Sequence, residues 1–243
     1  TLVETLVGGV IGVATNAVLI APLHVRQPRQ EITRLADEVH QLLRDMADSL
    51  HGGWDPAAAL EWCTRGQGIT ALAPQVSEHV ATGRESTRFN PVDNVQGLHV
   101  DWDGYEHAVD ALGRAQWQAS GIARTLADAA DDDLAAPSPV FLAAYADVLD
   151  DLAAAVTLFG RPEDDERDEL TARLDQANAG LQRLSDRVRD TRLEHPGSWP
   201  AYGALLLDAS RTVRVLSRGR EGAAVPTESG PIRRPVLSRH RHR

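Results

Sequence analysis

Trp54, Trp62, Trp102, Trp117 and Trp199 are flat surfaces on which an aromatic ligand could stack. Arg114 and Arg124 lie three and seven residues from Trp117, close enough on one helix to recognise a carboxylate beside it. Packing between helices is the competing use of each tryptophan. Cys63 is the only cysteine. Its thiol is a potential nucleophile, but between Trp62 and Thr64 on a helix it reads as a small buried apolar group. Asp131-Asp132-Asp133, Asp150-Asp151 and the acids from Glu163 to Glu169 could hold divalent cations, and they also suit solvated helix ends and faces. His240 and His242 alternate with arginines near the C-terminus, a weak metal-ligand pattern in what reads as a solvated tail. The signatures of dedicated chemistry do not occur: no glycine-rich phosphate loop after a strand, no His-Glu-x-x-His, no paired-cysteine spacing, no nucleophile elbow. The sequence therefore assigns no catalytic, cofactor-binding or metal-ligating residue and reads as a non-enzyme.

The elements that carry these residues are helical. Over 243 residues the aromatic content is 5%, while alanine and leucine dominate and apolar residues recur with helical period. That composition favours helices packed on helices over a β-sandwich. Every one of the 25 basic residues is arginine, and the net charge of −10 argues against nucleic acid as a partner. The charge is uneven: residues 219–243 hold six arginines against Glu221 and Glu228, a balance of +4 that leaves −14 on the rest. The lone cysteine fits a reducing compartment. The first residue is Thr1, and the chain reads as part of a longer one.

Thr5 to Val25 carries no acidic or arginine side chain over 21 residues. As a helix it is about 30 Å long, the thickness of a bilayer's hydrocarbon core. A transmembrane helix over residues 1–25 is expected, with a buried helix of a soluble protein as the alternative. Gly8, Gly12 and Asn16 are four apart and share one stripe. Small residues at that spacing let membrane helices approach closely, and Asn16 would hydrogen-bond across the contact or line a pathway. Arg26, Arg29, Arg34 and Arg44 follow the stretch, against Glu4 before it. The positive-inside rule then puts the stretch in the plasma membrane and the residues after 25 in the cytoplasm.

Beyond Pro28, Ile32, Leu35, Val39, Leu42, Met46 and Leu50 mark a helix that Gly52-Gly53 ends. Asp55-Pro56 opens a helix expected to run to Arg88, bent near Gly66, Gly68 and Pro74. A third is expected from Asp103 to Asp132, striped by Tyr105, Val109, Leu112, Gln116, Ala119, Ala123 and Leu126. Ser138-Pro139 caps a helix that ends at Gly160. A heptad of Leu170, Leu174, Ala177, Leu181, Leu184 and Val188 follows. The last helix starts at Ser198 and is closed by Gly219. The expected fold is all-α: a transmembrane helix (1–25), a cytoplasmic bundle of long antiparallel helices (26–218) and a disordered basic tail (219–243).

These parts resemble a known family. A membrane helix with Gly8-Gly9 and Asn16 leaves through Ala21-Pro22-Leu23 directly into a helical region, whose second helix ends in Arg84-Glu85-Ser86-Thr87-Arg88-Phe89-Asn90-Pro91. This resembles the last membrane helix and C-terminal cytoplasmic region of the fusaric-acid-resistance-like (FUSC), or aromatic acid exporter, family of actinobacterial type. Arg84, Glu85, Arg88, Asn90 and Pro91 carry the motif, although Val92 stands where the pattern has a basic residue. The resemblance implies efflux of small organic acids, aromatic ones among them, with the helical domain serving assembly or regulation and without a cofactor. The expected partners are other transmembrane helices of the same protein, a second copy in a homo-oligomer, and anionic lipid at the basic tail. A membrane-anchored helical signalling or scaffold module without transport activity is the alternative function.

Overall fold

The computed structural model describes residues 28–88, 102–130, 137–161, 166–190 and 199–223. Every regular element among them is a helix: α1 (28–52), α2 (Pro56–Thr70), α3 (Leu72–Arg88), α4 (Trp102–Ala130), α5 (Pro139–Gly160), α6 (Arg167–Asp190) and α7 (Trp199–Ala223). None of them is long and apolar enough to cross a membrane. Residues 1–25, with Gly8, Gly12 and Asn16, lie outside the described residues.

Local chemistry sets the helix ends. Gly53 has φ +98°, a left-handed backbone that glycine adopts freely, and it separates α1 from α2. The Asp55 carboxylate accepts from the Ala57 N–H at 3.0 Å, and Pro56 fills the first turn. The Ser138 hydroxyl does the same for Phe141 at the start of α5. The single helix expected over 56–88 is instead two. Pro74 has no N–H for the Thr70 carbonyl, and its ring would crowd that oxygen. The chain tightens there, with the Ala71 N–H on the Gly68 carbonyl at 3.3 Å, and α3 starts afresh at Leu72.

Rods consecutive in the chain alternate in direction, α2 and α3 forming one interrupted rod. α1 runs antiparallel to α5: Thr33 donates to the Gly160 carbonyl (3.2 Å), His40 Nδ1 to the Ala153 carbonyl (2.9 Å), and Arg44 pairs with Asp150 (2.7 Å). α4 runs antiparallel to the α2–α3 rod, with Gln116 beside Gly66 and Arg84 beside Glu106. α5 and α7 are parallel, because Tyr145 meets Leu205 and Phe159 meets Gly219. The six rods form two layers, α2–α3, α4 and α7 over α1, α5 and α6. α5 has 12 of its 22 residues buried on one broad face that takes up about half of the helix. Each buried leucine there contributes about 1.5–3 kcal/mol.

Gly219 departs from the role its position suggests in sequence, whereas Gly160 ends α5 as expected and has a second role. Gly219 does not close α7, which continues to Ala223, so the bundle extends past the expected boundary at 218. A methyl group on Gly219 would lie 2.7 Å from Ala111 Cβ and 2.8 Å from Phe159 Cζ, so the glycine lets α4, α5 and α7 close together. Gly160 likewise leaves room for Ala36 of α1. An even number of alternating rods brings the first and last described residues, 28 and 223, to the same end of the bundle.

Candidate functional site

The sequence-derived candidates divide sharply. Arg84 sits on the exposed face of α3 and joins α4 through Glu106 (2.8 Å) and Asp103 (3.1 Å). Those two carboxylates hold its guanidinium pKa above the ordinary value, the Glu106 hydrogen bond first. Glu85 is exposed and Arg88 is the last residue of α3. Asn90 and Pro91 lie outside the described residues, as do Asp131 to Asp133 and the histidines of the tail. What can be located of the family-like motif thus includes an inter-helix ion-pair cluster.

The tryptophans do not converge. Trp62 is buried, and Trp54 and Trp102 pack against the core, Trp102 edge-on to Tyr105 at 5.9 Å. Trp117 and Trp199 are 61% and 52% exposed, so interior packing does not account for these two. Cys63 is half-buried rather than buried. Burial pushes its thiol pKa up, which Arg124 opposes and Asp128 reinforces, so the thiol stays protonated near neutral pH and is a poor nucleophile. The acid pair is consumed by basic partners: Asp150 binds Arg44 and His51, and Asp151 faces Arg173 at 3.5 Å. No cluster of three metal-ligating side chains occurs among the described residues.

One surface groove gathers several features. It has a volume of about 440 Å³ and lies between α3 and α4. Ala73, Pro74 and Ser77 line one wall; Glu106, Asp110, Gly113 and Trp117 line the other. The α4 residues recur at helical spacing and so form one face. Gly113 lets α3 and α4 approach closely beside the groove, since a Cβ there would lie 3.4 Å from Ala73 Cβ. Arg114 is held on α4 by Asp110, one turn away, at 2.8 Å.

Gln116 also lines this groove and is fully buried. Its amide nitrogen lies 2.9 Å from the Gly66 carbonyl, 2.7 Å from Thr70 Oγ1 and 2.9 Å from Ser120 Oγ. The Gly66 carbonyl fixes the orientation, because only the amide N–H can face it. Oε1 is left as a buried acceptor with no partner among the described residues. α2 and α4 approach closely enough here that a Cβ on Gly66 would lie 2.6 Å from Ser120 Oγ. Sequence reasoning placed Gln116 on the core stripe but gave it no role; an amide among valine, leucine and alanine was the available signal.

A second polar site joins α4 and α7. Asp208 lies against Gly121, where burial raises its carboxyl pKa, opposed by Arg211 and Arg124. A raised carboxyl binds its proton more tightly in the folded chain than in the unfolded one. Its contribution to stability therefore falls as pH rises from the ordinary aspartate pKa, about 3.9, through the raised value. Asp208→Asn is expected to unfold at a higher temperature than the wild type at pH 7, with the gap closing below about pH 4. Thermal melts across that range check it; a gap independent of pH would count against the burial account.

No family model matches the chain, and no curated protein or solved structure matches it, so the resemblance to the aromatic acid exporter family stands on its quoted residues alone.

Proposed function

We propose that the chain is the C-terminal part of a membrane efflux transporter for small organic acids, with the helical bundle serving assembly or regulation. The observation that carries this reading is the stretch from Thr5 to Val25, uncharged by acid or arginine and followed by Arg26, Arg29 and Arg34. Its Gly8, Gly12 and Asn16 stripe suits packing against further membrane helices of the same protein. The topology of the bundle supports the reading, since residue 28 enters at the end where residue 223 leaves. The five arginines from Arg233 to Arg243 then start from the membrane-proximal end, where anionic lipid would attract them by about 1 kcal/mol each. On this reading the protein is not an enzyme, needs no cofactor, and sits in the plasma membrane with the bundle in the cytoplasm.

The exposed Trp117 favours the second reading, a membrane-anchored helical scaffold without transport, because an uncovered tryptophan suits partner recruitment. Efflux of a panel of aromatic acids, normalised to membrane-inserted protein and compared with cells lacking the protein, separates the two. Equal efflux from both cell types would end the transporter reading.

Orientation has its own test. Cys63 is the single thiol, so its labelling reports the side of the membrane directly. In intact cells a membrane-impermeant maleimide is expected to leave it unlabelled, with labelling after permeabilisation and denaturation. Labelling of intact cells would reverse the topology.

A further inference from the structure

We infer that the groove between α3 and α4 is a binding site for a small organic cation, an amine or amidine carried on a flat apolar group. The volume of about 440 Å³ lies in the range of small-molecule sites. Its unengaged features share one polarity. The Trp117 ring presents an exposed π face, which attracts a cation. Gln116 Oε1 is a buried acceptor without a partner among the described residues, and an ammonium or amidinium supplies N–H donors where a carboxylate has none.

The ion pairs point the same way. Arg114 lines the groove and is already matched to Asp110, and Glu106 of the same lining is paired with Arg84. An incoming carboxylate would have to displace Asp110 from Arg114 and would then sit near two acids. Each aspartate or glutamate has several lone-pair sites, so an incoming ammonium can share these carboxylates with the arginines. The field of the chain outside its basic tail, −14 overall, adds to the preference. The carboxylate recognition that Arg114 suggests in sequence is thus opposed by Arg114's own partner. Ala73, Pro74 and Val109 give the flat group an apolar lining.

The proposal concerns solution binding and does not depend on transport. The test uses the full chain, with tryptamine as the cationic probe and indole-3-acetate as an anion of similar size and shape. The indole N–H resonance of Trp117, assigned as the one lost in Trp117→Phe, reports occupancy. Tryptamine is expected to shift it saturably, and indole-3-acetate to leave it in place. Trp117→Ala and Asp110→Asn, followed by calorimetry, are each expected to weaken tryptamine binding at least tenfold. Asp147→Asn, which removes an exposed carboxylate on α5, is expected to leave binding unchanged. Gly113→Leu, which adds bulk against Ala73 in the groove lining, is expected to abolish binding; its melting temperature reports separately on folding. No saturable shift with tryptamine, equal or tighter binding of indole-3-acetate, or equal losses in Asp147→Asn and Asp110→Asn would each overturn the assignment.

Discussion

Gln116→Glu is expected to lower stability at pH 7 by about 3.5 kcal/mol, because a carboxyl whose pKa burial raises by three to five units escapes further cost by taking up a proton, and pH 7 lies about 2.7 units above its unfolded pKa at about 1.4 kcal/mol each. The wild-type amide donates to the Gly66 carbonyl and faces Thr70 and Ser120 from a fully buried position. A carboxylate there cannot donate, so it would set its charge against the Gly66 oxygen with no cation in the pocket floor to offset it. Because a domain is stable by about 5–15 kcal/mol, a loss of this size is expected to remove a large fraction of the stability and to lower the melting temperature clearly.

The effect should depend on pH in a defined direction. Glutamate titrates near pH 4.3 in the unfolded chain and higher in the fold. The deficit therefore grows as pH rises through that interval and shrinks below it, where the protonated acid regains one donor for Gly66. Gln116→Leu is the control. It removes the donor and the orphaned Oε1 together, while Thr70 Oγ1 still donates to the Gly66 carbonyl. Its loss is expected to stay within about 1.5 kcal/mol, the size of one ordinary hydrogen bond. Denaturant unfolding of both variants at pH 7 and pH 4 measures this. Equal losses for glutamate and leucine, or a glutamate loss independent of pH, would show that the amide is not buried as a donor.

Much of the helical scaffold was legible in sequence, because local signals there agree with packing. Ser138-Pro139 caps α5 as its residue types require, and five of the six heptad positions from Leu170 to Val188 are buried, with Val188 at the edge. The failures occurred where a residue's local meaning and its tertiary use diverge. Gly219 has the composition of a helix stop, yet it serves as the point where α4 and α5 press on α7. Pro74 has the composition of a bend, but with a place in the first turn of a new helix available to it the chain breaks at Ala71 instead. The groove could not be read at all, because it depends on which face of α3 meets which face of α4. Trp117 belongs to it as a residue left uncovered by its neighbours, and exposure is a property of the pairing rather than of the α4 stripe. Asp110 and Arg114 were visible at i,i+4 spacing, but their pairing changes the charge the groove prefers only once Gln116 and Trp117 are seen beside them.

On the proposed transporter reading, Gly12→Leu is expected to reduce acid efflux to background, while Val13→Leu is expected to keep most of it. Gly8, Gly12 and Asn16 fall on one stripe at spacing four, and Val13 lies about 100° around the helix from Gly12. Association of helices in lipid depends on close backbone contact, since the tails offer no hydrophobic drive between helices. A leucine on the glycine stripe holds the backbones apart and removes the contacts of every residue along it. A leucine at Val13 adds one methylene to a face that suits lipid. Asn16→Ala then separates two uses of the amide. As a hydrogen bond between helices it is worth roughly 0.6 kcal/mol, and efflux should survive its loss. As a group on the substrate path, its removal should stop efflux while insertion and assembly remain normal. The measurement is aromatic-acid efflux per membrane-inserted protein, with assembly followed by crosslinking. Indistinguishable efflux and assembly in Gly12→Leu and Val13→Leu would mean that the stripe makes no special contact, and the transporter reading would lose the residues that distinguish it from a simple anchor.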